Sequence, residues 1–552
     1  MDVDEMQTKL ATWAQDPGFK FDDIYNLLYD EDFLRRAYSS VESNRGSRTA
    51  GVDGQTMEDF EEDPMEDFEE DLEENLEGLR KSLKSQSFDP DPVRRVYIPK
   101  GDGRKRPLGI PNIEDRIVQE TLRMVLEPIY ESDFSGQSFG FRPNRCTMDA
   151  IKSVFGGMAP SMQSYKQWII DADIKGFFDN VDHRTLEQII QNRITDQKIR
   201  DLIWKFLKAG VMEDGTLNRT MLGTPQGGIV SPLLANIYLN ELDQWAKKWT
   251  DFSSAEYQRR RRRGKPSWSY VRYADDFLFQ TDGSKENAKE MMQRIEDFVT
   301  EELSLELSDE KTRLVNAKDG IEFLGYNLEA KDKTTGGVKR EVPKEAKKDI
   351  KGKVREATNG DTKVSARAKL KALNAVLRGW ENYYKYATNT TKVFGEVNHF
   401  TWDRVTHWLA RKFKCSRRKL VSRKLDSTNP IRINGVRLHR LDGSFEWYEQ
   451  EGLDEHPHLT EGTRKREELP EKDPWLGNKE DRPGWNDKRR EALERDEWTC
   501  QKCGGNLEKL SAHVHHQKPY SEYNNPHEAH KLENLASLCA ECHRQIESNN
   551  AE

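Results

Sequence analysis

Tyr273-Ala274-Asp275-Asp276 sets two carboxylates side by side inside the run Ser269-Tyr270-Val271-Arg272-Tyr273-Ala274-Asp275-Asp276-Phe277-Leu278-Phe279-Gln280. Neighbouring carboxylates drawn partly out of water repel each other, and a cation must offset that cost. A hard, oxygen-preferring divalent ion such as Mg²⁺ suits the need; a plain acidic turn is the other reading of the pair taken alone. A third carboxylate extends the set. Trp168-Ile169-Ile170-Asp171-Ala172-Asp173 is an apolar stretch that runs into Asp173, ahead of Ile174-Lys175-Gly176-Phe177-Phe178-Asp179. A carboxylate at a strand end can complete a metal site built across neighbouring strands. Such a set serves two-ion phosphoryl transfer, in which one ion lowers the pKa of an attacking hydroxyl and the other neutralises the phosphates and the leaving group.

A second chemistry lies near the C-terminus. Four of the six cysteines form Cys500-x-x-Cys503 and Cys539-x-x-Cys542, separated by 35 residues. In a reducing compartment two such pairs predict a tetrahedral structural Zn²⁺ that orders a short module. Val514-His515-His516-Gln517-Lys518-Pro519, Asn534-Leu535 and Cys542-His543 accompany them. Histidine suits proton transfer because its ordinary pKa lies near neutrality. A zinc ribbon that binds DNA without cutting it is the plainer reading. Cys146 and Cys415 stand apart and are read as ordinary thiols.

The elements that must position these groups follow from periodicity. Alternating residues before Asp275 and the Phe277-Leu278-Phe279 run after Asp276 predict a hairpin with the two aspartates at its turn. Arg94-Arg95-Val96-Tyr97-Ile98-Pro99-Lys100-Gly101-Asp102-Gly103-Arg104-Lys105-Arg106-Pro107-Leu108-Gly109-Ile110-Pro111 reads as two short strands joined by a cation-loaded turn. That turn fits either a solvated hairpin end or a triphosphate clamp. A helix is expected from Glu114 to about Glu131. The glycines of Thr224-Pro225-Gln226-Gly227-Gly228-Ile229-Val230-Ser231-Pro232 allow close backbone approach to a ligand, with a helix after them. Residues 1–45 are expected to be helical, ahead of a glycine-punctuated loop over 44–54.

Composition frames the whole. At 552 residues the chain is long enough for three or four domains, and 34% charged residues against 35% hydrophobic ones imply large solvated or polyanion-facing surfaces. The net charge of −9 is blocky. Residues 58–77 hold thirteen acidic residues and no basic one, whereas residues 331–440 hold 29 Lys and Arg against 10 Asp and Glu. Local charge is what a polyanion meets. The acidic block contains a tandem copy, Met57-Glu58-Asp59-Phe60-Glu61-Glu62-Asp63 and Met65-Glu66-Asp67-Phe68-Glu69-Glu70-Asp71. It reads as a solvated insertion, so deletion of residues 57–71 is expected to leave activity intact. Arg259-Arg260-Arg261-Arg262-Arg263 is expected to be a flexible insertion that touches phosphates. From 331 to 440, Leu370, Leu373, Val376 and Leu377 at helical spacing predict a bundle core. Aromatics interleaved with cations in Gly379-Trp380-Glu381-Asn382-Tyr383-Tyr384-Lys385-Tyr386 add a nucleic-acid surface. No apolar run is long enough to span a bilayer and no signal pattern opens the chain, so no membrane partner and a cytoplasmic location are expected.

The blocks 98–111, 139–145, 171–183, 224–243, 270–279 and 321–326 stand in the order of reverse transcriptases. In detail, Tyr273-Ala274-Asp275-Asp276, Pro225-Gln226-Gly227-Gly228 with Ser231-Pro232, and Phe323-Leu324-Gly325-Tyr326 resemble the group II intron-encoded proteins, over roughly residues 45–552. The resemblance implies an α+β multidomain chain. A right-hand polymerase has fingers and palm over 45–330, with the acidic insertion at 57–77, after an N-terminal helical extension over 1–44. A helical thumb or maturase X domain covers 331–440, a linker that may touch DNA covers 441–495, and a zinc-stapled ββα-metal HNH endonuclease covers 496–552.

Roles follow by the same resemblance. Asp173, Asp275 and Asp276, with the Ile174 carbonyl, match ligands of two Mg²⁺ ions. Phe178 matches a steric gate against a ribonucleotide 2′-hydroxyl, with core packing as its other reading. Gln226 matches a residue lining the incoming nucleotide, Lys100 and Arg106 match triphosphate contacts, and Lys311 matches a lysine near the leaving pyrophosphate or a surface lysine. Cys500, Cys503, Cys539 and Cys542 match the Zn²⁺ ligands. His516 matches the general base of the nuclease, His515 and His543 match ligands of its single divalent ion, and Asn534 matches an orienting residue; His513 and His530 have no role in the pattern. The implied partners are the intron RNA, target DNA and dNTPs, and a homodimer on RNA is left open. The implied function is RNA-directed DNA polymerase and maturase, assisting intron splicing and performing target-primed reverse transcription with HNH nicking. The alternatives are an RNA-binding splicing factor alone, or a reverse transcriptase domesticated outside intron mobility.

Overall fold

The structure is a computed structural model, and it describes residues 2–44, 46–61, 68–99, 105–159, 165–213, 216–218, 223, 227–331, 337–360, 362–424, 431–433, 435–446, 448, 456–459, 492–493, 495–496, 498–504, 512–516, 535–539 and 542. The chain divides into two compact units. One comprises residues 1–346, 385–390 and 444–466, and the other comprises 347–384, 391–443 and 467–552.

The first unit carries strands β1 (Val93–Pro99), β2 (Lys105–Ile110), β3 (Trp168–Asp173), β4 (Val211–Glu213), β5 (Thr216–Asn218), β6 (Trp268–Tyr273), β7 (Asp276–Thr281), β8 (Arg313–Asn316), β9 (Ile321–Phe323), β10 (Tyr326–Ala330) and β11 (Val338–Glu341). One sheet has the order β2-β1-β4-β5, a second β6-β7-β3-β8 and a third β11-β10-β9. The second sheet is antiparallel throughout, and β7 and β3 are its inner strands. Phe277, Leu278 and Phe279 are all buried, because an inner strand covered on both faces hides successive residues rather than alternate ones.

The expected helix appears as Ile113–Glu131, tolerating Pro128 near its C-terminal end. Ile117, Val118, Leu122, Val125, Leu126 and Ile129 on it belong to the main core. The N-terminal region forms helices Val3–Ala14 and Glu31–Glu42, capped by Asp2 and Asp30, whose carboxylates accept from backbone N–H groups of the first turns. The Phe323-Leu324-Gly325-Tyr326 block is a two-residue hairpin: Phe323 pairs with Tyr326, and Leu324 (φ 45°) and Gly325 (φ 69°) both take positive φ.

Two expectations change. Met57 and Phe60, in the first acidic copy, are buried, and Asn75 Nδ2 donates to the Phe60 carbonyl at 3.0 Å. The apolar members of the first copy are core residues, so the segment is not a wholly solvated insertion and deletion of residues 57–71 would remove packing. The arginine run lies in a helix, Ser254–Arg262, rather than in an irregular insertion. Ser253 caps it, Glu256 pairs with Arg259 at 2.9 Å, and Arg260 lies over the Phe252 ring. No residue of this helix is buried, so all its faces tolerate charge.

In the second unit the helices Ala366–Tyr384, Thr390–Lys412 and Arg417–Lys424 follow one another. Leu370, Leu373 and Leu377 are buried as their spacing predicts, and Val376 is half-buried. Trp380 packs on Phe394, ring centroids 5.3 Å apart. This unit also holds a short hairpin of β12 (Arg432–Ile433) with β13 (Val436–Arg437), and an antiparallel pairing of β14 (Ala512–His516) with β15 (Leu535–Cys539). No helix among the described residues is long and apolar enough to cross a membrane.

Candidate polymerase and zinc sites

The acidic site is assembled by strand register. Asp173 at the end of β3 pairs with Asp276 at the start of β7, and Tyr273 of β6 pairs with the same Asp276. The turn residues are therefore Ala274 and Asp275, with Asp276 closing the hairpin, one position along from the expected tip. Ala274 takes φ 57°, the left-handed conformation that a tight hairpin turn demands. Three carboxylates from two adjacent strand ends converge. Burial, then the charges of Asp275 and Asp173, push Asp276 up to about 7. Burial and, secondarily, Asp173 raise Asp275. The electrostatic demand for a cation that the sequence implied is thus present in the fold, and an all-carboxylate donor set fits Mg²⁺.

Cations ring the site. Lys311 Nζ donates to both Asp173 carboxylate oxygens at 2.8 Å. Arg313 Nε donates to Asp171 at 2.9 Å, two residues back along the same strand. The charge of Arg106, exposed on β2, reaches Asp275. Ile174 is buried, and its bridge to Leu307, with Ser308 N–H donating to the Asp173 carbonyl at 2.8 Å, fixes the chain just past β3.

Phe178 is partly buried against the core and meets Phe177 edge to face at 5.3 Å. The glycine-rich loop leans on its turn: a Cβ at Gly223 would lie 3.0 Å from the carbonyls of Phe178 and Asp179. Gly227, at φ 114°, presses on β2, where a Cβ would come within 2.3 Å of the Gly109 carbonyl. Only glycine permits either approach. Lys100 and Gln226 lie outside the described residues.

Sequence reasoning missed the buried support of the turn. Arg272 and Asp243 are both fully buried and paired at 2.6 Å. Tyr270 Oη donates to Asp243 at 2.7 Å, and Arg272 Nη1 donates to Asn236 Oδ1 at 3.0 Å and to the Ala274 carbonyl at 2.9 Å. Asn236 Nδ2 in turn donates to the Gly140 carbonyl at 2.9 Å. Burial lowers the pKa of the Arg272 guanidinium, but Asp243 outweighs it and leaves the group above its ordinary value. The available signal was spacing: Asn236 and Asp243 are seven apart and share one face of the helix Ser231–Thr250.

At the other site, the sulfurs of Cys500, Cys503 and Cys542 lie within 4.8 Å of one another. Tetrahedral thiolates about 2.3 Å from a zinc ion stand at such separations, so the donor set fits Zn²⁺. Hydrogen bonds to the Ser537 backbone frame the cluster: Gln501 N–H donates to the Ser537 carbonyl at 2.9 Å, and the Asp496 carboxylate Oδ2 accepts from Ser537 N–H at 3.0 Å. Cys539 ends β15 opposite Ala512, and His516 ends β14 opposite Leu535. The backbones of His515 and His516 are in β14, while Asn534 and His543 lie outside the described residues.

Three family models match the chain: reverse transcriptase (RNA-dependent DNA polymerase) over residues 98–328, the group II intron maturase-specific domain over 347–425, and HNH endonuclease over 500–549. The group II intron-encoded protein LtrA of Lactococcus lactis is 34% identical over 459 residues, spanning 69% of this chain and 73% of its own length. The chain belongs to the group II intron-encoded proteins. Protein YkfC of Escherichia coli is also similar, 37% identical over 347 residues, covering 59% of this chain and 88% of its own. As a group II intron-encoded protein the chain is a reverse transcriptase and maturase that carries an HNH endonuclease domain.

Proposed function

We propose that this group II intron-encoded protein copies intron RNA into DNA at the Asp173–Asp275–Asp276 site. Residues 45–330 form the fingers and palm, 331–440 the thumb, 441–495 the linker and 496–552 the nuclease, after a helical extension over 1–44. The observation that carries the reading is the register pairing of Asp173 with Asp276 beside the Asp275 turn, where burial first, and the neighbouring carboxylates after it, raise the pKa of both members of the hairpin pair. Asp173, Asp275, Asp276 and the Ile174 carbonyl hold two Mg²⁺ ions, which when bound activate the primer 3′-hydroxyl and neutralise the triphosphate. Lys100 and Arg106 grip the triphosphate from the fingers, and Lys311 serves the leaving pyrophosphate from beside Asp173. Gln226 lines the nucleotide, and Phe178 excludes a 2′-hydroxyl.

The basic helices of the second unit bind the intron RNA mainly through phosphate and shape, so affinity falls steeply with salt. Cys500, Cys503, Cys539 and Cys542 hold Zn²⁺. His516 takes the proton from the attacking water, oriented by Asn534, and His515 and His543 hold one divalent ion. The nuclease nicks target DNA, and the new 3′ end primes synthesis on the intron template.

Primer extension on poly-rA/oligo-dT with Mg²⁺ and dTTP tests the polymerase assignment. The native protein incorporates dTMP and the Asp275→Ala/Asp276→Ala variant does not. Equal incorporation by both would remove these aspartates from the chemistry.

A further inference from the structure

The segment next to the catalytic turn contains a backbone conflict. Gly140 and Phe141 form a turn, and it is Phe141, not the glycine, that takes the left-handed conformation, φ 57°. A turn that needs positive φ ordinarily places glycine or asparagine there. Here the glycine is committed one position earlier, because a Cβ at Gly140 would lie 2.5 Å from the Ala274 backbone nitrogen. The positive-φ position therefore falls to a phenylalanine, a residue poorly suited to it.

The same phenylalanine is 55% exposed, while its neighbours are locked. On one side Phe139 N–H donates to the Arg272 carbonyl at 2.9 Å, and Asn236 holds the Gly140 carbonyl at 2.9 Å. On the other, buried Arg142 pairs with Glu131 at 2.9 Å and donates to the carbonyls of Ser135 at 2.6 Å and Ser138 at 2.9 Å. An aromatic ring is thus presented to solvent from a rigid backbone, one residue from the glycine on which the Ala274–Asp275 turn rests. Neither core packing nor backbone preference accounts for a phenylalanine in this place. A π-face beside a nucleotide-joining site is accounted for by a nucleobase.

We infer that Phe141 is a nucleic-acid contact of the polymerase site, its ring stacking on a nucleobase of the primer–template next to the growing end. The inference rests on assigning polymerisation to Asp173, Asp275 and Asp276. Its test reads binding separately from chemistry so that the two can fail independently.

The experiment measures fluorescence anisotropy of a labelled RNA template–DNA primer duplex with the full-length protein, for native, Phe141→Gly, Phe141→Ala and Phe141→Trp, with melting temperatures alongside. Phe141→Gly relieves the positive-φ strain, so it melts at or above the native temperature. It nevertheless binds primer–template about 5- to 100-fold more weakly, the range for one lost base–aromatic stack, while Phe141→Trp binds like the native chain. Abasic sites placed in turn at the primer terminus, its template partner and the next template position locate the base: at that position native and Phe141→Gly bind alike. Phe141→Gly binding within two-fold of native overturns the inference, as does a defect that persists with every abasic substrate. The Asp275→Ala/Asp276→Ala variant, inactive under the polymerase reading, should still show the Phe141 effect on binding. Retained activity in that variant would sink the site assignment while leaving the binding result to stand by itself.

Discussion

Arg272 Nη1 donates to the carbonyl oxygen of Ala274 at 2.9 Å, so a fully buried guanidinium holds the backbone of the turn that bears Asp275. The same guanidinium is neutralised by Asp243, 29 residues away in sequence. The turn geometry therefore depends on an ion pair that is sealed from solvent.

Asp243→Asn leaves Arg272 charged and unpaired in the core. Removing one partner of a buried pair typically costs about 3–5 kcal/mol, and urea unfolding should show a loss of that size. The apolar double replacement Arg272→Met/Asp243→Leu should recover most of that stability. Its primer extension should stay at least about ten-fold below native, because the Ala274 carbonyl has lost its donor. Full activity in the stable double variant would show that the tie to Ala274 is dispensable.

Phe178 presents a partly open ring held edge-on to Phe177. Phe178→Val should raise incorporation of rNTP relative to dNTP by about 10- to 200-fold, the scale of discrimination available to a steric pocket. The ratio of kcat/KM for rUTP and dTTP on poly-rA checks it. An unchanged ratio would leave Phe178 as a packing residue only.

Zinc removal should unfold the nuclease selectively. Metal binding supplies most of the folding free energy of such small modules, about 10–16 kcal/mol in isolated zinc-binding peptides. Cys500→Ser, which loses a buried ligand, should lower the metal content from about one zinc per chain towards none and abolish nicking. Primer extension should persist. Stoichiometric zinc in the variant would show that the cluster is not the metal site.

His456 and His458 lie against Ser132 and Glu127 in the first unit. His456 Nε2 lies 3.1 Å from Ser132 Oγ, and His458 Nε2 lies 4.0 Å from Glu127, a carboxylate already engaged by Arg123. Burial, aided by the His458 charge and by Arg142, pushes His456 down to about 4; burial and Arg123 do the same for His458, against the pull of Asp4. The unfolded chain takes up these protons near pH 6.5 and the folded chain only near pH 4. The stabilisation is complete above pH 6.5 and is lost as pH falls towards 4. His456→Gln/His458→Gln should flatten the fall in melting temperature between pH 6.5 and 4.5, removing on the order of 3 kcal/mol of pH dependence. A native and a double-variant profile of equal slope would refute the buried neutral pair.

Asp173, Asp275 and Asp276 stood out in the sequence as carboxylates at the ends of apolar runs, and Cys500, Cys503 and Cys542 through their Cys-x-x-Cys spacing; the structure brings the members of each set together. The apolar runs around them fixed strands in the same few residues. Local signals also predicted the helix through Leu122 and the buried stripe of Leu370, Leu373 and Leu377, where periodicity and burial coincide. The helical form of Arg259–Arg262 escaped that reading, since its cap at Ser253 and its Glu256 pair outweigh like-charge repulsion on a solvated helix.

The sequence by itself determined which groups could do chemistry, since side-chain identity and local spacing set what a residue can ligate or donate. Tertiary structure alone decided how those groups are held. Arg272 meets Asp243 and the Ala274 carbonyl, Gly140 fits beneath the turn, Phe60 enters the core, and Phe141 is left exposed in a strained conformation. These relations join residues far apart in the chain, and their energies come from burial and close approach that exist only once the strands and helices have packed.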